Sequence, residues 1–134
     1  KDRRDIDPKN NLEVPVTPQI IFKSTKEFAF LTDEIATQGY HTIDLNMGCP
    51  FPLQTRHGRG SGLLAHPDIV AEVASIIKER TELSFSVKMR LGWDNAEEWM
   101  PVMEILNDTP LTHITLHPRT AGTSFAGTRV CRRT

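Results

Sequence analysis

The chain has few cysteines and no long apolar run, and each shortage excludes a class of protein. Its two cysteines, Cys49 and Cys131, lie far apart without CxxC spacing, so neither a disulfide framework nor a cysteine zinc site is predicted. The histidines show no spacing typical of metal ligands, and we expect no metal. No stretch reaches the roughly 18 to 20 apolar residues that span a bilayer, and the charged start lacks a signal peptide's apolar run. We therefore expect a cytoplasmic protein without a membrane partner.

A surplus of positive charge is also missing. The 134 residues include 16 basic and 17 acidic ones, which gives a net charge of -1. A protein that binds polyphosphate with its whole surface is usually basic, so any RNA contact must be local. Apolar residues at 38% and charged residues at 25% are ordinary for one soluble domain. Because the first residue is not methionine, we expect the chain to start inside a longer protein.

Predicted strands and helices alternate along the chain. Short β-rich runs predict strands at 17–22, 41–45, 85–91 and 112–117. Apolar residues at helical spacing, with capping signals, predict helices from a Ser24 cap to Gly39, from Pro67, and from an Asn95 cap to about 107. Residues 46–65 are rich in glycine and proline and are predicted as a long loop. Parallel strands need such helical crossovers, so the predicted class is α/β.

Two architectures fit this order, a doubly wound sheet and a (β/α)8 TIM barrel. Residues 85–91 alternate with period two, which leaves Ser86, Lys88 and Arg90 on a polar face that is unusual for a strand between helices. Polar residues at strand ends or on that face favour the barrel, whose active sites form there: Asn46, Cys49, Lys88, Arg90 and His117. We predict a partial TIM barrel of about four central βα units.

Cys49 is the first candidate for chemistry, because it follows a predicted strand. Gly48 is expected to permit an unusual backbone angle and Pro50 to stiffen the loop, and together they would direct the thiol. Most cysteine thiols carry their proton at neutral pH and can act as general acids, whereas a nearby cation would favour the thiolate. Both roles remain open at this point. Asn46 fits either a turn residue or an amide that orients a planar substrate.

Three further features carry weaker signals. Lys88 on an inward strand face needs an anionic or carbonyl partner, and it could contact a flavin ring or form a Schiff base. His117 is predicted to end its strand on the same side as Cys49. The glycine-rich segment 58–62 lacks the form of a phosphate loop, although Arg56 and Arg59 could contact a nucleic-acid backbone.

Taken together, four segments resemble the dihydrouridine synthases in sequence, order and separation. They are I-D-L-N-M-G-C-P at 43–50, G-R-G-S-G-L-L at 58–64, V-K-M-R-L-G-W at 87–93 and L-H-P-R-T at 116–120, and the resemblance covers about 15–127. It implies an FMN-containing TIM barrel that reduces a uridine in tRNA to 5,6-dihydrouridine with NADPH as the electron donor. Hydride would pass from flavin N5 to C6 of the flipped-out uracil, and Cys49 would protonate C5.

The resemblance also implies roles for other residues. By position, Gln19, Lys88 and His117 match residues that bind the flavin. Asn46 and Arg90 match residues near the uracil, where Arg90 could donate to a carbonyl. The family often carries a tyrosine where this chain has Phe125.

The same resemblance predicts that residues 1–134 are one partial catalytic domain. The first two barrel strands would precede residue 1, and two more strands, the FMN-phosphate glycines and a helical tRNA-binding domain would lie outside the chain. We expect the complete protein to be a monomer and the chain alone to be inactive. Two alternatives remain: a Schiff-base aldolase using Lys88, and a non-catalytic RNA-binding fragment using Arg56 and Arg59.

Overall fold

A computed structural model describes residues 3–122. A short 3₁₀ turn, Pro8–Asn10, precedes four strands: β1 (Gln19–Ile20), β2 (Thr42–Met47), β3 (Ser84–Gly92) and β4 (Leu111–Thr120). Four α-helices lie between them: α1 (Thr25–Thr37), α2 (Pro52–Thr55), α3 (Pro67–Glu79) and α4 (Trp99–Asn107). A second 3₁₀ segment, Gly60–Ala65, joins α2 to α3. Phe125 and Cys131 lie outside the described residues.

The strands form one parallel sheet in the order β1-β2-β3-β4. Each strand therefore pairs with the next strand along the chain, with a helix between them, as in a TIM barrel. A doubly wound sheet would instead reverse its strand order at a switch point. The predicted α/β class and partial barrel are confirmed.

One face of the sheet packs against the helices and forms the core. Six side chains from β2 and β3 on this face are at most 1% exposed: Ile43, Leu45, Met47, Phe85, Val87 and Met89. Phe28 of α1, Val73 of α3 and Val102 of α4 belong to the same apolar cluster. Since the helices cover this face, the other face carries the polar side chains of the alternating strands.

Local signals in the sequence explain where two helices start. The Ser24 hydroxyl accepts a hydrogen bond from Glu27 N at 3.2 Å and caps α1. Pro67 occupies the first turn of α3, where its missing N–H costs no helical hydrogen bond. Both starts were predicted from the sequence and are confirmed.

Element boundaries differ from the predictions in several places: β1 covers only Gln19–Ile20, β2 continues to Met47, α4 starts later and β4 ends later. Asn95 does not cap α4, which begins at Trp99, because the Asn95 side chain accepts from Glu97 N and closes a separate turn. The Glu98 carboxylate accepts from the backbone N–H groups of Trp93 and Asn95 and holds that turn. β4 continues past His117 to Thr120, because it lies at the edge of the described sheet, where Pro118 is tolerated.

The predicted long loop after β2 contains structure that the prediction missed. It holds α2 and the 3₁₀ segment, and Pro52 at the first turn of α2 was the available signal. Within residues 3–122, no helix is long and apolar enough to cross a membrane, and no group of acidic, histidine or cysteine side chains could hold a metal ion.

Candidate active site

Strand register arranges the polar face of the sheet in three rows. Paired residues on adjacent parallel strands point to the same side of a sheet. The rows run from Gln19 through Asp44 to Ser86, from Asn46 through Lys88 to Thr115, and from Arg90 to His117. The third row lies nearest the carboxyl ends of the strands, where βα sheets build their active sites.

The loop that carries Cys49 is held from both sides. The Asn46 side-chain oxygen accepts from Gly48 N at 3.1 Å and from Cys49 N at 3.0 Å. On the other side, the Cys49 carbonyl accepts from Ser61 N at 3.0 Å and from the Ser61 hydroxyl at 2.9 Å. Ser61 is 1% exposed, so water does not compete for these bonds. The cysteine backbone is therefore fixed by a side chain before it and a residue twelve positions after it.

The glycine that this loop requires is Gly60, and the expectation for Gly48 was wrong. Gly48 has no positive φ, and a β-carbon there would meet its nearest neighbour at an ordinary 3.5 Å. Gly60 has φ +59°, and a β-carbon there would lie 2.6 Å from the Cys49 carbonyl oxygen. No local signal distinguishes Gly60 from Gly48, because the close approach of Gly60 to Cys49 is a tertiary contact.

A cavity of about 240 Å³ lies at the carboxyl ends of β2, β3 and β4. Its lining brings together five of the six predicted site residues: Asn46, Cys49, Lys88, Arg90 and His117. Gly48, Pro50 and Met89 complete the lining. Residues that are far apart in the sequence thus converge on one space beside the thiol.

Gln19, the sixth predicted site residue, does not line this cavity. It lies in the first row, where its side-chain nitrogen donates to Asp44 Oδ2 at 2.6 Å. Its side-chain oxygen accepts from Asn46 Nδ2 at 2.9 Å. Asp44 also accepts from the Ser86 hydroxyl at 2.5 Å. Gln19 is therefore connected to the cavity through Asn46.

Arg90 is anchored beside the cysteine loop. Its Nε donates to the Gly48 carbonyl at 2.7 Å, and one terminal nitrogen lies 3.5 Å from the Thr120 carbonyl. Burial lowers the pKa of Arg90, and the charge of Arg119 lowers it further. Cys49 acts in the opposite direction and raises the pKa of Arg90. An arginine remains charged after such a shift. A fixed cationic donor therefore shares the cavity with the thiol.

His117 stands next to Arg90 in a positive environment. Its pKa is lowered below the ordinary 6.5, first by burial and then by the charges of Arg90, Arg119 and Lys88. The imidazole is consequently neutral at physiological pH. It can offer one nitrogen as a donor and the other as an acceptor.

Lys88 lies at the centre of the second row and is exposed. Among residues 3–122, its ammonium group has no hydrogen-bond or ion-pair partner, although its charge acts on His117. A cation presented on a barrel's inward face in this way is suited to an anionic or carbonyl-bearing ligand.

Arg59 of the glycine-rich segment and Arg56 just before it behave differently. Arg59 forms an ion pair with Glu27 of α1 at 2.6 Å, and both side chains are less than 30% exposed. Arg56 is exposed. Of the two, only Arg56 presents its charge to solvent, which weakens the hypothesis that both contact a nucleic-acid backbone.

Four residues that support the site were not predicted to do so: Asp44, Ser86, Gly60 and Ser61. The alternation of 85–91 placed Ser86 on the polar face without a role, and the same period-two counting places Asp44 on the face of Asn46. Gly60 and Ser61 gave no local signal. Their contact with Cys49 depends on how the intervening chain folds back.

Comparisons with known proteins identify the family of the chain. A family model described as dihydrouridine synthase matches residues 1–133. A probable tRNA-dihydrouridine synthase of Staphylococcus aureus (strain COL) is 33% identical over 108 residues, which cover 81% of this chain and 33% of the relative. Probable tRNA-dihydrouridine synthase 1 of Synechocystis sp. (strain PCC 6803) is 31% identical over 124 residues, which cover 92% of this chain and 34% of the relative.

A third relative bears a more specific name. The tRNA-dihydrouridine(16) synthase of Vibrio vulnificus (strain CMCP6) is 28% identical over 119 residues, which cover 87% of this chain and 37% of the relative. The chain thus spans about a third of the length of these relatives. Because the family model matches nearly every residue, the chain belongs to the dihydrouridine synthase family.

Proposed function

We propose that the protein containing this chain reduces a uridine in tRNA to 5,6-dihydrouridine, with FMN as its cofactor and NADPH as the electron donor. The observation that carries the proposal is the cavity at the carboxyl ends of the strands. It combines the Cys49 thiol with a fixed guanidinium, a neutral imidazole and an ammonium group. The family membership of the chain and the names of its relatives support the choice of substrate.

The donor set on the polar face fits a flavin ring. A flavin ring system presents carbonyl oxygens and ring nitrogens as acceptors, with one N–H as donor. Lys88 offers an ammonium group, and Gln19 offers an amide whose nitrogen and oxygen each keep one free position beyond the bonds to Asp44 and Asn46. Gln19, Lys88 and His117 would hold the ring. Bound there, FMN would supply a hydride from N5 to C6 of the uracil.

The residues of this chain would complete the reduction. The Cys49 thiol would donate its proton to C5 of the uracil, so that the C5–C6 double bond gains one hydride and one proton. Arg90 and Asn46 would orient the base, with Arg90 donating to a carbonyl oxygen. The bonds from Asn46 and Ser61 to the Cys49 backbone would keep the thiol aimed at C5.

The chain would act as the central part of a longer catalytic domain. Four parallel strands in sequential order are half of a (β/α)8 barrel. Further strands, the FMN-phosphate site and a helical tRNA-binding domain would come from the rest of the protein, as expected for a chain that spans a third of its relatives. We expect the complete protein to be a monomer. The isolated chain would expose two unpaired sheet edges and stay inactive.

The test compares two cysteine variants of the complete protein. Purified protein with FMN and NADPH is incubated with an unmodified tRNA transcript, and mass spectrometry detects the two hydrogens gained per reduced uridine. Cys49→Ala should keep flavin absorbance and lose turnover by about 100-fold or more. Cys131→Ser, the other cysteine in this chain, serves as the matched control and should keep turnover.

Three outcomes would contradict the proposal. A complete protein that binds no flavin and leaves tRNA unreduced would exclude it. Borohydride trapping of a carbonyl substrate on Lys88 would favour the Schiff-base alternative. Salt-dependent tRNA binding that survives Cys49→Ala, in a protein without reductase activity, would favour the RNA-binding alternative.

A further inference from the structure

The Asp44 carboxylate accepts two hydrogen bonds in the first row of the polar face. The Ser86 hydroxyl donates to Oδ1 at 2.5 Å, and the Gln19 amide nitrogen donates to Oδ2 at 2.6 Å. Asp44 is half-buried and does not line the cavity. Its role must therefore be exerted through the residues it binds.

A carboxylate sets the direction of the hydrogen bonds that start from it. It accepts and does not donate, so the Gln19 amide must turn its nitrogen toward Asp44 and its oxygen toward Asn46. Asn46 then donates through Nδ2 to that oxygen at 2.9 Å. This leaves the Asn46 oxygen facing the backbone N–H groups of Gly48 and Cys49. The direction of hydrogen bonding set at Asp44 thus extends to the cysteine loop through three successive hydrogen-bonded contacts.

The opposite direction would disrupt the loop. The two ends of an amide differ little in shape, so a reversed Gln19 would also reverse Asn46. The Asn46 nitrogen would then face two backbone N–H donors, and both bonds to the loop would be lost. The shape of the amides permits this reversal, whereas the acceptor-only carboxylate at one end and the backbone N–H donors at the other end both oppose it.

We propose that Asp44 is a positioning residue: it fixes the direction of the Gln19 and Asn46 amides, and through them it holds Cys49 and presents Gln19 to the flavin. The flavin part rests on the proposed function, whereas the part concerning Cys49 is a property of the folded protein alone. The two parts can therefore be tested by separate measurements.

The sharpest test exchanges an amide and a carboxylate between two positions. Gln19→Glu alone places two carboxylates in contact. It should break the hydrogen-bond relay that runs from Asp44 through Gln19 and Asn46 to the cysteine loop. Gln19→Glu combined with Asp44→Asn restores it with the same net charge. The new amide at position 44 donates to the new carboxylate at position 19, which still accepts from Asn46, and Ser86 still donates to position 44.

The readout is the rate at which iodoacetamide alkylates Cys49, measured by peptide mass mapping of the complete protein in a Cys131→Ser background. A loosened loop exposes the half-buried thiol, so Gln19→Glu should accelerate alkylation about fivefold. The double variant should return to within about twofold of the parent rate. Asp44→Asn alone should also accelerate alkylation, although less than Gln19→Glu, because an amide at position 44 can donate as well as accept and no longer fixes the direction of Gln19.

A matched control separates this role from general stability. Thr112→Val removes another hydrogen bond, from the Thr112 hydroxyl to the Phe85 carbonyl on a neighbouring strand, and should leave the alkylation rate unchanged. Failure of the double variant to restore the rate, or an unchanged rate in Gln19→Glu, would overturn the proposal. Equal acceleration in Thr112→Val would also overturn it, because the effect would then be a loss of stability.

Flavin affinity tests the second part. The double variant loses the free N–H of Gln19, so its FMN dissociation constant should rise about tenfold although its alkylation rate is restored. Unchanged FMN affinity would show that Gln19 does not contact the flavin, and it would overturn the proposal that Asp44 presents Gln19 to the flavin. If the complete protein binds no FMN, the proposed function fails, while the alkylation result still decides the relay.

Discussion

The two faces of the sheet differ in both composition and purpose. On β2 and β3, six residues that face the helices are apolar and at most 1% exposed. The residues that alternate with them are polar, and they form the hydrogen-bond relay and line the cavity. One strand thus supplies the core on one side and the site on the other. Stability and chemistry are therefore separated by a single step along the chain, so substitutions can test each property alone.

The largest expected loss of stability comes from the apolar face. Leu45 is 0% exposed in the middle of β2. Leu45→Ala should lower the free energy of unfolding by about 3 kcal/mol, because it removes buried methyl groups and leaves a cavity. Chemical denaturation of the complete protein, followed by circular dichroism, measures the loss.

Lys88→Ala is the matched variant on the opposite face, at a position paired with Asn46. Since Lys88 is exposed, its removal should change the free energy of unfolding by less than about 0.5 kcal/mol and weaken FMN binding instead. If both variants destabilised the protein equally, the separation between the two faces would be wrong.

A smaller loss is expected where the polar face continues into the cysteine loop. Gly60→Ala should cost about 2 kcal/mol or more, because φ is +59° and the added carbon would lie 2.6 Å from the Cys49 carbonyl oxygen. Gly39→Ala is the control, with φ +92° and no atom within 4 Å of the added carbon, and it should cost about 1 kcal/mol. The two costs are compared by thermal unfolding.

The difference between these glycine variants isolates the contact with Cys49. Gly60→Ala should also reduce turnover, whereas Gly39→Ala should preserve it, because Gly39 lies at the end of α1 away from the cavity. Equal costs and equal turnover would mean that only backbone strain matters at Gly60.

The smallest effect is expected from the titration of His117. Its pKa is lower in the folded protein than in the unfolded chain, where it is about 6.5. As the pH falls below 6.5, the unfolded chain binds the proton first, so the stability of the folded state decreases. His117→Gln should flatten this decrease between about pH 7 and pH 5, as measured by thermal unfolding across that range.

The cause of the shift can be tested separately by NMR titration. Arg119→Gln removes one of the charges that lower the pKa of His117, so that pKa should move upward. If the pKa of His117 did not change in this variant, burial and the other cations would be the cause of its shift.

Much of the fold could be predicted because its signals are local. The Ser24 cap, Pro67 and the alternation of 85–91 each act within a few residues, and they located two helices and a strand correctly. The start of α4 was predicted too early, since Asn95 and Glu98 can cap either a helix or an isolated turn. The end of β4 was predicted too early because the position of that strand at the sheet edge decides whether proline is tolerated.

The site was less predictable because it depends on contacts between distant segments. The residues of 43–50 and 87–93 identified the family and placed Cys49, Lys88 and Arg90 on one cavity. Gln19 lies outside that cavity, since its amide is engaged by Asp44 and Asn46. The requirement for glycine at position 60 arises from a close approach to Cys49 that no sequence periodicity encodes.

The sequential order of the strands has a consequence for biosynthesis. Within residues 3–122, β2, β3 and β4 each pair with the strand that left the ribosome immediately before them, and no described strand lies between two earlier ones. The sheet within residues 3–122 can therefore grow at one edge while synthesis continues. Each new βα unit can then pack on strands that have already been synthesised. The lining of the cavity is completed only by Arg90 and His117, the last of its residues to emerge.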